Sequence, residues 1–228
     1  MFYRNINDDN RQAWLKSVLL GVHSGARILD AGAGELRNRQ YCSHLDYVSQ
    51  DFCQYDSKGS VDGLHSSKWD TGGVDIVSDI TQIPESDGSF DVILCTEVLE
   101  HVPDPIRVIS EFSRLLKAEG MLILTAPFAS LVHMAPYYYC SGFSRYWYEE
   151  HLNAHGFEII KLESNGDWFS FCEQELMRLG GMSRQYGNPF WSLGYFLSWI
   201  GRLYFKLSKH KCSDDLACFG WHCVAKKI

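Results

Sequence analysis

The chain has 228 residues, 46% of them hydrophobic, which is enough to bury a sizeable core as one domain. Its 21 Lys and Arg against 28 Asp and Glu leave a formal charge of -7, which excludes the cationic surface that sequence-independent nucleic-acid binding draws on. Met1 to Asn10 is polar and charged, without the apolar stretch and cleavage site of a secretory leader, so a cytoplasmic protein with a small partner is expected.

Short β-branched runs alternate with helical periods, the pattern of strand-helix-strand units around a parallel sheet, so the class is α/β. A first helix is predicted over Asn10 to Val22, with Trp14, Leu15, Val18 and Leu19 as its apolar face. Strands follow at Arg27 to Ala31, Tyr47 to Asp51, Val74 to Ser78, Asp91 to Thr96 and Met121 to Ala126, and all five read as buried. Phe52 to Gly73, rich in Gly, Ser and Asp, reads as a long surface excursion. Pro105 to Lys117 places Ile106, Ile109, Phe112 and Leu116 on one helical face, with Gly120 as its stop. A helix over Ser144 to His155 and strands at Phe157 to Leu162 and Gly220 to Ala225 complete the pattern. Residues 1–228 are therefore read as a single domain with a helical insertion at about 165–216 between the last two strands.

Within that insertion, Pro189 to Leu207 is aromatic-rich but interrupted by Arg202 and Lys206, and too short for a membrane span. Phe190, Leu193, Leu197, Ile200 and Tyr204 fall at spacings of three and four, the pattern of a face buried against the domain. The other reading is peripheral membrane contact, or an apolar substrate surface, through 189–207. The eight cysteines are scattered along a chain too large for a disulfide-stapled scaffold and read as reduced thiols. His210, Cys212, Cys218, His222 and Cys223 lack a Cys-x-x-Cys pair, so no metal is expected.

Chemistry gathers where strands end. Asp30 runs into Gly32-Ala33-Gly34, a side-chain-poor turn at the carboxyl edge of the sheet, where open α/β folds bind ligands. A dinucleotide enzyme needs a third small residue where Arg37 stands, which disfavours a nucleotide-binding oxidoreductase without removing it. Asp51, about 20 residues on, is placed to accept both hydroxyls of a ribose. Asp79 is placed to accept from an adenine amine, and Ile80 to lie against the ring.

In order, Ile28-Leu29-Asp30-Ala31-Gly32-Ala33-Gly34, Tyr47 to Asp51, Ser78-Asp79-Ile80, Pro84 to Phe90 and Asp91 to Val102 resemble the class I methyltransferases, and within them the ubiquinone and menaquinone methyltransferase group. The resemblance spans Arg27 to about Ala126. It implies a Rossmann-like, seven-stranded, mostly parallel sheet with helices on both faces and an antiparallel last strand. It also implies S-adenosyl-L-methionine as cofactor, held by Asp30, Gly32, Ala33, Gly34, Asp51, Phe52, Asp79, Ile80, Cys95, Thr96, Glu97 and His101. His101 either shapes the turn after the fourth strand or moves a proton.

Methyl transfer from a sulfonium is an in-line displacement needing alignment and dry surroundings, with no metal or covalent nucleophile. For a hydroxyl acceptor, small molecule or glycan, His133 beyond the fifth strand is the candidate base, with Arg145 and Tyr146 as candidate orienting residues. In related glycan-modifying enzymes an acidic residue precedes the aromatic-x-Arg element; here Tyr137, Tyr138, Tyr139 and Cys140 stand instead. A methyltransferase-like scaffold without turnover is the remaining alternative.

Overall fold

A computed structural model describes residues 5–55, 64, 70–208 and 212–228. They divide into two compact units: Asn10–Glu163 with Gly220–Ile228, and Ser164–Phe219 with the chain's start up to Asp9.

The first unit is a seven-stranded sheet. Helix α1 (Ile6–Leu20) begins four residues before the predicted Asn10, because Asp8 and Asp9 in its first turn suit the positive end of the helix. Strands β1 (Arg27–Ala31) and β2 (Asp46–Asp51) pair in parallel, with Asp30 opposite Ser49. Strand β3 is only Ile76–Val77, at the sheet edge beside β2. Val77 is 66% exposed, which corrects the expected burial of Val74 to Ser78: an edge strand has one neighbour and an open side. The excursion after Asp51 is largely outside the described residues; Leu64 within it donates its amide to the Val132 carbonyl at 2.8 Å.

Strand β4 (Phe90–Thr96) lies on the other side of β1 and is followed by helix α2 (Pro105–Leu115). The Asp104 carboxylate caps α2 by accepting from the Arg107 amide, and Pro105 occupies its first turn, where a missing N–H costs nothing. The buried stripe is Val108, Ile109, Phe112 and Leu115, so the helix stops two residues short of Lys117, and Ile106 faces solvent. Leu116 already opens strand β5 (Leu116–Pro127), and Gly120 sits in its initial irregularity instead of stopping a helix. Ser144 caps helix α3 (Arg145–Ala154), and strand β6 (Phe157–Asn165) follows Gly156, whose φ is +78°. Strand β7 (Gly220–Lys227) runs antiparallel to β5, giving the order β3-β2-β1-β4-β5-β7-β6. Leu15 and Leu19 of α1 pack on Ile28, Val92, Leu94 and Ile123 over one face. This is the expected class: a Rossmann-like, mostly parallel sheet with helices on both faces and an antiparallel β7.

The second unit holds helices α4 (Trp168–Gln185) and α5 (Trp191–Ser208). They cross through small residues. A methyl on Gly180 would lie 2.5 Å from the Tyr195 ring, one on Gly194 3.0 Å from the Gly180 Cα, and one on Gly201 2.1 Å from Leu176. The Ser198 hydroxyl, between them on the same stripe, donates to the Leu176 carbonyl at 2.6 Å. The face predicted to bury is therefore the open one: Phe190 is 70% exposed and Ile200 47%, with Leu193, Leu197 and Tyr204 in the same state. Glycine lets α5 bury its side-chain-poor stripe and leaves its large apolar residues without cover. Among the described residues no helix is long and apolar enough to cross a membrane.

Gly32, where β1 turns at the carboxyl edge, has φ +75°, and a methyl there would lie 2.4 Å from the Val98 side chain. Gly32→Ala should therefore lower the unfolding free energy by about 2 to 4 kcal/mol through backbone strain and overpacking. Urea titration reads this directly, and an unchanged midpoint would show that the turn is not packed against Val98.

Candidate functional site

The Gly32–Gly34 turn uses its own donors internally. Gly32 and Ala33 donate their amides to the Gln50 carbonyl at 2.8 and 2.9 Å, and Gly34 donates to Asp51 Oδ2 at 2.9 Å. The Gln50 side chain, buried beside the turn, donates to the Ser78 carbonyl at 2.7 Å and so ties β2 to the segment after β3. The chain then enters a short 3-10 turn, Arg37–Tyr41, instead of an α-helix. A pyrophosphate site needs free amides and a helix N-terminus, so the dinucleotide reading loses both supports. Gln50 was not legible as a site residue, because a polar residue inside a strand carries no motif.

Asp30 is fully buried at the end of β1. Burial pushes its carboxyl up to about 6, against the opposing hydrogen bond from the Tyr47 hydroxyl, which donates to Oδ2 at 2.6 Å. Its other oxygen, Oδ1, and the Asn38 Oδ1 are buried acceptors without a hydrogen-bond partner. Unmet acceptors next to a ligand-sized turn call for a donor from outside the chain. Asp51, buried at the end of β2, accepts from Gly34 and, through Oδ1, from the Cys53 amide at 2.8 Å. Each carboxylate oxygen keeps a second lone pair for a further donor. Phe52 stands edge-on to the Tyr137 ring at 5.0 Å. Asp79 is exposed and caps Thr81 through its amide and hydroxyl, both at 2.8 Å, while Ile80 beside it is buried.

At the end of β4, Cys95 is buried and its thiol is pushed far up by burial, so it is not a nucleophile. Thr96 accepts from the Asn38 amide at 3.3 Å. Glu97 occupies the left-handed region at φ +54°, and its carboxylate is held by Arg11 and the Thr125 hydroxyl, both at 2.9 Å. Backbone strain of this kind collects where a chain must aim neighbouring groups.

Those neighbours are Glu100 and His101. Glu100 is buried, its carboxyl is raised well above the usual range by burial and then by Glu97, and its Oε2 has no hydrogen-bond partner. His101 Nδ1 donates to the Tyr137 carbonyl, leaving Nε2 3.7 Å from Glu100 Oε1. Burial holds the His101 ring at about 4, so it is neutral near pH 7. His133, from the segment after β5, donates from Nδ1 to the Leu131 carbonyl at 2.9 Å, and its Nε2 lies 4.0 Å from the same Glu100 oxygen. These tautomers follow from carbonyl partners, which can only accept. The two imidazoles meet edge to face at 4.6 Å, and Tyr138 stands 5.3 Å from His133. His101 and His133, far apart in sequence, thus converge on one buried carboxyl. Arg145 pairs with Glu149 at 2.9 Å, and Tyr146 is exposed.

Glu100, His101 and His133 are also the described cluster whose ligand atoms lie within 4.8 Å of one another. Zinc–nitrogen bonds of about 2.0 Å hold tetrahedral ligands about 3.3 Å apart, so this set, as it stands, is more open than a closed metal site, and neither ring nitrogen is within hydrogen-bond distance of the carboxyl. Of the cysteine and histidine patch near the end of the chain, His210 lies outside the described residues, Cys212 donates to Asp214, and His222 stacks on Trp14 at 4.6 Å.

A sequence profile of the methyltransferase domain matches residues 29–124. This segment of the chain is similar to a methyltransferase domain. Within it fall the turn, Asp51, Asp79 and the Glu97–His101 segment. A ubiquinone biosynthesis O-methyltransferase of Xanthomonas oryzae pv. oryzae is 37% identical over 105 residues, 45% of this chain and 43% of that protein. The chain thus matches less than half the length of the curated relatives. A putative sarcosine dimethylglycine methyltransferase from Galdieria sulphuraria shares the fold at TM-score 0.54 and 16% identity, over 99% of this chain and 90% of that one. A phosphoethanolamine N-methyltransferase 2 of Haemonchus contortus, solved in complex with S-adenosyl-L-methionine, does so at 0.53 and 16%, over 96% and 52%.

The buried Asp30 carries a stability signature. Its folded-state carboxyl is raised to about 6 from 3.8, so ionising it disfavours the folded state: the penalty is absent below pH 4, grows between 4 and 6, and is complete above 6. Asp30→Asn should therefore stabilise the chain by about 1 to 3 kcal/mol at pH 7.5 and by little at pH 4. Urea unfolding at the two pH values checks this, and a destabilised variant at pH 7.5 would show that the ionised carboxylate is well solvated.

Proposed function

We propose that the chain transfers a methyl group from S-adenosyl-L-methionine to a hydroxyl oxygen of a small-molecule or glycan acceptor, with His133 as the base. The observation that carries this reading is the convergence of His101 and His133, each with Nε2 free of its carbonyl partner, on the buried carboxyl of Glu100. The name of the 37% identical relatives, ubiquinone biosynthesis O-methyltransferase, points the same way.

The residues at the carboxyl edge fit the cofactor. Asp30 Oδ1 and Asn38 Oδ1 are buried acceptors lacking a donor, which an ammonium group satisfies. Asp51 has lone pairs for ribose hydroxyls, Ile80 offers an apolar surface to a purine, and Gly32, Ala33 and Gly34 keep side chains out of the way. When bound, the cofactor supplies an electrophilic methyl on a positively charged sulfur.

The chain's own contribution is alignment and proton removal. His133 Nε2 accepts the acceptor's hydroxyl proton as the oxygen becomes nucleophilic. The imidazolium that forms lies beside Glu100, 4.0 Å from its Oε1, so Glu100 is a positioning residue for the ring and takes no part in the proton transfer. Tyr137, Tyr138 and Phe52 form aromatic walls near this group, a surface on which a flat ring or the apolar face of a sugar can stack.

Two measurements test the reading. With radiolabelled cofactor and phenolic probes such as 3,4-dihydroxybenzoate, His133→Ala should lower kcat by about 10²- to 10⁴-fold and leave S-adenosylhomocysteine affinity unchanged. Unchanged turnover removes His133 from the mechanism. Asp51→Ala should weaken S-adenosylhomocysteine binding by about 1 to 3 kcal/mol in calorimetry, and an unchanged affinity removes Asp51 from the ribose.

A further inference from the structure

We infer that the α4–α5 hairpin is a docking surface for an anionic lipid bilayer, lying in the interface without spanning it. Three independent features carry this, and none depends on the proposed chemistry.

The first is the inversion of α5. Gly194, Ser198 and Gly201 face α4, while Leu193, Phe196, Leu197, Ile200, Leu203 and Tyr204 are exposed at spacings of three and four. Burying the small stripe and exposing the large one costs free energy in water, whereas helices surrounded by lipid pack through small residues and hydroxyl-to-carbonyl bonds. A contiguous apolar surface of this extent marks an interaction site.

The second is the kind of apolar residue. Trp191, Tyr195, Trp199 and Tyr204 are all substantially exposed on this helix. Trp and Tyr favour the boundary between headgroups and acyl chains, where a flat ring is buried and its polar tip stays wet. An 18-residue helix is about 27 Å long, and no described helix meets the length and apolarity of a span, so α5 suits the plane of the interface.

The third is charge. In a chain of net charge -7, the sequence from Leu176 to Cys212 holds Arg178, Arg184, Arg202, Lys206, Lys209 and Lys211 and neither Asp nor Glu. Arg178 and Arg202 pair with Glu175 and Glu173 of α4, and Arg184 lies 5.6 Å over the Trp191 ring. The surplus is positive and flanks the aromatic stripe at both ends in sequence. A negatively charged lipid surface complements it. A second copy does not, because a two-fold interface would set the same cations against one another.

The test uses the purified full chain in flotation with extruded vesicles of phosphatidylcholine alone or with about 30% phosphatidylglycerol. The wild type should float with the anionic vesicles, at least about tenfold more than with neutral ones, and less as salt rises. Ile200→Glu with Leu203→Glu should reduce that binding by about tenfold or more. Both positions are exposed, and circular dichroism with S-adenosylhomocysteine calorimetry establishes that the variant is folded. The inference is overturned if the wild type stays unbound with both vesicle types, or if the folded variant floats as the wild type does. It is equally overturned if light scattering shows a wild-type dimer, abolished in the variant, that binds no vesicles.

Discussion

Two amides of the Gly32–Gly34 turn donate to a single carbonyl, that of Gln50, and the third donates to the Asp51 carboxylate. This fixes where β1 ends relative to β2, and the rest of the candidate site depends on it. It holds Asp51 by its backbone contacts and closes the turn around Asp30. Because the donors are spent inside the protein, the turn offers a ligand shape and carboxylates instead of an anion cradle. The buried Asp30, raised by desolvation, is the cost of that arrangement. A cationic ligand group beside it would recover the lost solvation, which couples occupancy of the site to the stability of the sheet.

A second constraint acts one strand away. β4 is followed at once by Glu97, at positive φ and tied to Arg11 and Thr125, and Glu100 and His101 come next, directed inward. The segment after β5 returns His133 to the same carboxyl. A ligand held at β1 and β2 and an acceptor held beside β4 and β5 would then meet along the carboxyl edge, the position at which open α/β sheets collect their chemistry.

Much of this was legible in the sequence. The strands β1, β2, β4 and β7 were found within a residue or two of their starts, since apolar runs bounded by Gly and Asp have few other readings. Asp30 and Asp51 stood out because each lies at the end of a strand, and His133 because it comes shortly after one. The companions of those residues did not stand out. Gln50 and Tyr47 act through a carbonyl and a hydroxyl from inside a strand, and Glu100 reads as one more helical acid until its burial is known. The error on α5 is the most instructive. Periodicity identified the apolar stripe correctly, but the direction of packing was set by Gly194 and Gly201, which hydrophobic periodicity counts as blanks.

The residues at the carboxyl edge suit an adenosyl amino acid better than a dinucleotide. Calorimetric titration of the full chain at pH 7.5 with S-adenosylhomocysteine and, separately, with NAD tests it most directly. Saturable one-to-one binding of S-adenosylhomocysteine and no heat from NAD are expected. Binding of NAD, or no binding of S-adenosylhomocysteine to the folded chain, would contradict this.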